Sequence, residues 1–107
     1  MGEPFEEGYE PMKTMSDEDF RRYVADLGRR METINSRKEL SSFIFMLCKG
    51  YREGAFEEQD AEDYLSGTGS LFRAMDSWYR NNDIKDDPDV PTWRMMARVL
   101  LASFSHS

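Results

Sequence analysis

Two stretches decide the fold: AEDYLSGTGSLFRAMDSWY at residues 61–79 and WRMMARVLLASF at residues 93–104. In the first, the apolar side recurs at Ala61, Tyr64, Leu65, Thr68, Leu71, Phe72, Met75, Trp78 and Tyr79. In the second it recurs at Trp93, Met96, Ala97, Leu100, Leu101 and Phe104. Steps of three and four place these residues on one face of a helix. The first stretch predicts a third helix over about 60–81, continuous or kinked at the poor helix formers 66–70. The second predicts a fourth over about 91–104, with Pro91 in its first turn.

Two further helices precede them. Ser16 followed by Asp17, Glu18 and Asp19 supplies a cap and negative charge for a helix N-terminus. The stripe Phe20, Tyr23, Val24, Leu27, Met31, Ile34 then runs to residues 34–36, and Gly28 offers a site for a close crossing. Ser36 and Glu39 have capping-box spacing. Leu40, Phe43, Ile44, Leu47 and Tyr51 form the second stripe, widened by Phe45, Met46 and Cys48, so this helix is expected to be the most buried. Gly54 is its expected stop. The reading is an all-α, compact bundle of about four helices at residues 16–107, behind a flexible acidic tail at 1–15 in which Phe5 and Tyr9 are the candidate anchors.

The chain has 107 residues, 39% hydrophobic and 33% charged, which suits one core under a heavily solvated surface. Fourteen basic residues against 21 acidic ones leave a net charge of −7, which repels nucleic acid and anionic membranes. The charge either confers solubility alone or selects a basic protein partner. The start of the chain has neither a signal-peptide pattern nor a myristoylation match, since position 6 is Glu. Apolar runs are far too short for a membrane span. A cytoplasmic location is expected.

Chemistry-bearing residues are few. Cys48 lies in an apolar run and reads as a buried hydrophobe; one cysteine forms no internal disulfide. His106, the single histidine, stands one residue from the end and reads as inert. Gly67-Thr68-Gly69 lacks the context of a phosphate loop and reads as close helix packing. The segment Asp83, Asp86, Asp87, Asp89 has carboxylates for calcium, but it lacks an EF-hand's central glycine and distal glutamate. No catalytic residue, metal or cofactor is expected.

What remains is acid. Glu57, Glu58, Asp60, Glu62 and Asp63 place five carboxylates in seven positions at a helix start, where the dipole needs one or two. With Asp83, Asp86, Asp87 and Asp89 they are the candidate partner-binding residues. Tyr79 joins them as the aromatic residue of the third helix expected to be partly exposed, while Trp78 and Trp93 are assigned to the core.

Residues 34–44 (INSRKELSSFI), then Asp63-Tyr64-Leu65, Asp76-Ser77-Trp78-Tyr79 and Pro91-Thr92-Trp93-Arg94 with Ala97, Leu100 and Ala102, resemble a family of small bacterial helical domains without a settled activity. Its members look like single-domain immunity proteins encoded beside secreted toxins. The chain departs from that pattern at Phe56, where a tryptophan is expected, and after Ala102, where a Tyr-Glu is expected. The resemblance implies a non-enzymatic immunity or antitoxin-like protein that covers the cleft of a cationic toxin, with a nuclease as the first candidate. The alternative is a small-molecule-binding or enzyme-accessory domain with a pocket at Tyr79, Ser66 and Thr68. A self-associating module that uses exposed methionines is a third reading.

Overall fold

Helices in this protein start where a short oxygen-bearing side chain can satisfy the first free amides. A computed structural model of the chain describes residues 15–105. Ser16 accepts from the Asp19 amide at 3.0 Å and opens α1, Asp17–Met31. Ser36 accepts from the Glu39 amide at 3.1 Å and opens α2, Arg37–Arg52. The Glu39 carboxylate returns to the Asn35 amide at 2.7 Å, completing a capping box one residue wide of the usual pairing. Asp60 caps α3, Ala61–Arg73, through the Asp63 amide at 2.8 Å. α4, Met75–Asn81, follows directly, and Thr92 caps α5, Trp93–Ala102, through the Met95 amide at 3.0 Å. A 3-10 turn at Ser103–Ser105 ends the described chain. The expected tail lies mostly outside the described residues, as do Phe5, Tyr9 and His106.

The described residues are all-α, with five helices where about four were expected. The extra one arises because the predicted third helix divides at Ala74, not at the glycines. Residues 66–70 stay helical because tertiary contacts hold them. Gly67 is buried, and the Thr68 hydroxyl bonds both the Tyr64 carbonyl (2.9 Å) and Ser103 Oγ (2.7 Å). Pro91 sits before the Thr92 cap and not within the first turn of α5.

Two helix ends share one closing device. After α2, the Gly54 and Ala55 amides donate back to the carbonyls of Tyr51 (3.2 Å) and Gly50 (2.8 Å). After α4, the Asp83 and Ile84 amides donate to those of Arg80 (3.3 Å) and Tyr79 (2.9 Å). Both are Schellman closures, which need a left-handed residue at the turn. Gly54 takes φ 79° freely; Asp83 takes φ 56° with a side chain attached.

α5 is the spine. Its Ala97 joins Leu27, Ile34, Leu40, Phe43 and Leu47 in one core cluster, while its Met95 and Val99 join Leu71, Met75 and Tyr79 in a second. Phe104, just beyond it, stacks on Phe56 with ring centroids 4.4 Å apart and planes 7° from parallel.

Several expected core residues lie outside. Trp93 is 42% exposed, and Phe45, Leu65, Phe72 and Met96 are also open to solvent. Cys48 is exposed too, so α2 is not buried all round. Each follows the helical period, but no described helix covers its side. Gly28 has open space around it, and the close approach is at Gly50, which packs against the Tyr23 side chain. Tyr23 donates to the Met46 carbonyl at 2.7 Å, and burial, with Glu53 nearby, pushes its pKa up to about 12.

Candidate functional site

α5 carries two arginines, Arg94 and Arg98, and no acid. At i and i+4 they share a face, so their counter-ions must come from elsewhere in the fold. Arg98 is buried beneath three partners. Its Nε and Nη2 donate to the two carboxylate oxygens of Glu32 at 3.1 and 2.9 Å. Its Nη1 donates to the Tyr79 hydroxyl at 3.0 Å, and Nη2 also reaches Asp86 Oδ2 at 3.0 Å. Arg94 adds a longer contact to the same Asp86 oxygen at 3.4 Å. The Arg98 hydrogen bond, helped by the charges of both arginines, holds the Asp86 carboxyl below its ordinary range against the opposing effect of burial. The Glu32 hydrogen bonds lead in raising the Arg98 pKa against its desolvation.

This network settles where the second acidic group stands. Asp86 is a half-buried counter-ion. Tyr79 is 2% exposed and corrects the expectation of a partly exposed aromatic: it follows Leu71 and Met75 in steps of four on the buried side, where its hydroxyl meets Arg98. Asp83 pairs with Lys85 at 2.7 Å, and Asp87 Oδ1 accepts from the Asp89 amide at 2.9 Å. The loop therefore spends much of its charge on itself and on α5.

The first acidic group is different. Asp60 caps α3, and Glu57, Glu58, Glu62 and Asp63 are exposed, without an ion pair among the described residues. No hydrogen bond or ion pair between described residues joins this group to the Asp83–Asp89 loop.

Beside the first patch, a cleft of about 510 Å³ opens between α2 and α3, with Leu47, Tyr51, Asp60, Tyr64 and Leu100 among its lining residues. Tyr64 donates to the Leu100 carbonyl at 2.6 Å, and burial raises its pKa. A second cleft, about 540 Å³, lies along α1 and touches Arg98, whose donors already serve Glu32, Tyr79 and Asp86. Neither cleft is lined by Tyr79, Ser66 or Thr68, the pocket the small-molecule alternative required. Among the described residues no group of three or more His, Cys, Asp or Glu side chains is placed to hold a metal ion. No described helix is long and apolar enough to cross a membrane.

Residues 36–106, from the α2 cap through α5, match the model of a family of unknown function (DUF7660). The chain belongs to that family. No curated protein and no solved structure matches it. The DUF7660 match contains the unpaired carboxylates, the α2–α3 cleft and Arg98, while Glu32 and α1 precede it.

Arg98, Glu32 and Gln59 were not singled out from sequence. For the arginines a signal existed, two cations one turn apart in an otherwise apolar helix. For Gln59 there was none.

Proposed function

We propose that this protein is a non-enzymatic immunity or antitoxin-like protein that binds and blocks a cationic toxin in the bacterial cytoplasm, a nuclease being the first candidate. The observation that carries the reading is the exposed group Glu57, Glu58, Glu62 and Asp63, unpaired among the described residues and flanking in sequence the cleft-lining residues Gln59, Asp60, Ala61 and Tyr64. Like charges held together without counter-ions favour a basic surface. A nuclease cleft is such a surface because it binds phosphates. Exposed carboxylates speed encounter and set the salt dependence, while the apolar cleft supplies burial once contact is made.

The Asp83–Asp89 loop takes a lesser part, since Asp86 and Asp83 already have cations. A second reading, small-molecule binding, is favoured by the volume of the α2–α3 cleft, which falls in the range of ligand sites.

The test uses the protein encoded by the neighbouring gene. Its toxicity and enzymatic activity are measured with and without the purified chain, and association is followed at several salt concentrations. Neutralisation is expected, with association slowed at least about tenfold at low salt in the Glu57→Lys/Glu58→Lys/Glu62→Lys variant. Unchanged association in that variant would sink the reading.

A further inference from the structure

One residue of the α2–α3 cleft wall carries a buried polar atom that no described residue satisfies. Gln59 lines the cleft, and its Nε2 donates to the carbonyls of Ser103 (3.1 Å) and Phe104 (3.0 Å). Two carbonyl acceptors on one side of the amide determine which end is nitrogen, so the other end is an acceptor. That acceptor, Oε1, is buried and takes no hydrogen bond from any described residue. An orphan acceptor of this kind is a standing destabilisation that an incoming N–H relieves.

Its surroundings define the donor. Asp60 is the next residue and also lines the cleft; its Oδ1 serves the α3 cap, and its Oδ2 has no partner among the described residues. Tyr51, Tyr64 and Phe104 present aromatic surface, with Leu47 and Leu100 between them. Among the described residues Arg52, exposed on the last turn of α2, is the cleft's one lining cation, against four carboxylates outside it that have no ion pair there. The Tyr51 hydroxyl approaches the Gln59 backbone only at 3.4 and 3.5 Å, long for hydrogen bonds, so it holds Gln59 weakly.

We infer that the cleft is the seat of an arginine side chain from the partner protein. The aliphatic stem lies on the apolar walls, the planar guanidinium stacks against a tyrosine ring, and its forked donors reach Gln59 Oε1 and Asp60 Oδ2 together. Lysine offers a strongly hydrated point charge without a stacking face, and serves this site less well. A purely apolar side chain leaves Oε1 orphaned, and an acidic one meets the rim's repulsion. The inference rests on the proposed reading of the chain as a binder of a cationic protein and names the side chain that reading requires at the cleft.

The test is a nuclear magnetic resonance titration of the full ¹⁵N-labelled chain with three capped amino acids: N-acetyl-arginine methylamide and its citrulline and norleucine counterparts. The arginine probe is expected to shift the Gln59 side-chain amide and the backbone amides of residues 59–61 saturably. Its affinity should exceed that of either neutral probe about tenfold, the factor typical of one charge-assisted hydrogen bond. Gln59→Met should cut the preference for arginine over norleucine severalfold. Asp60→Asn keeps a good capping residue, removes the charge and should cut the preference severalfold, so it carries the test if Gln59→Met fails to fold. Equal binding of arginine and norleucine overturns the inference. So do arginine-induced shifts spread over Glu57, Glu58, Glu62 and Asp63 that spare Gln59. Either result, beside an intact salt-dependent association with the toxin, removes the arginine seat and leaves the acidic rim as the binding surface.

Discussion

Arg98 and Glu32 stand 66 residues apart and meet through two hydrogen bonds, at 3.1 and 2.9 Å, that tie the end of α1 to the middle of α5. Glu32 is the C-cap residue of α1, so the pair also places a cation beside the carbonyl end of that helix. Since Arg98 is 5% exposed and the Glu32 side chain 50%, the pair has one dry and one wet end. That asymmetry decides how its loss is felt.

Arg98→Met should therefore destabilise by about 3 kcal/mol, the lower end of the range for breaking a buried pair, because Glu32 rehydrates while the Tyr79 hydroxyl stays stranded. Glu32→Gln should lose less, about 1–2 kcal/mol, because the amide oxygen still accepts one hydrogen bond and Asp86 still faces the buried guanidinium with a charge. Urea unfolding of both variants checks the order. Equal losses would show that Arg98 acts mainly through its charge on Glu32.

Asp86 predicts an acid-sensitive component of stability. Its folded pKa lies below its unfolded value, so the ionised form stabilises the fold above the unfolded pKa, and the contribution is lost as pH falls through the folded one. The stability gap between wild type and Asp86→Asn should be full at neutral pH and shrink below about pH 4. Urea titrations at pH 7, 5 and 3 measure it. A gap that does not change with pH would mean that Asp86 is not held by its arginines.

Trp93 and Phe43 test which apolar residues form the core. Phe43 is 1% exposed and Trp93 is 42% exposed. Phe43→Ala should destabilise by about 3–5 kcal/mol. Trp93→Ala, which removes a partly wet side chain, should lose about 1–2 kcal/mol. Thermal melts compare them, and a larger loss at Trp93 would contradict its placement.

Two helical glycines, Gly28 and Gly50, should respond with opposite sign. Gly28→Ala adds a methyl into open space and should stabilise by up to about 1 kcal/mol through helix propensity. Gly50→Ala drives the same methyl into the Tyr23 ring, disturbing its bond to the Met46 carbonyl, and should destabilise by about 1–3 kcal/mol. Melting both variants tests the contact directly.

Ser16, Ser36 and Gly54 show what the sequence determined by itself. A helix cap or stop is an interaction within three to five residues, so residue type and spacing contain all of it, and these boundaries were legible. The all-α class was legible for the same reason, because the period of three and four is local. Which face of each period ends up dry was not. Leu65, Phe72 and Trp93 keep the period yet stay wet, since burial needs a second helix on that side. The candidate site divides along the same line. Glu57, Glu58, Glu62 and Asp63 were readable as surplus charge, because nothing close in sequence neutralises them. Asp86 looked the same and proved different only because α5 delivers Arg98 and Arg94 to it from beyond the loop. Tyr79 is buried where α5 brings Arg98 to its hydroxyl, and Gln59 is held in the cleft wall where the chain beyond α5 brings the Ser103 and Phe104 carbonyls to its amide. Those pairings join residues distant in sequence, where spacing carries no information and only packing of the helices decides who meets whom.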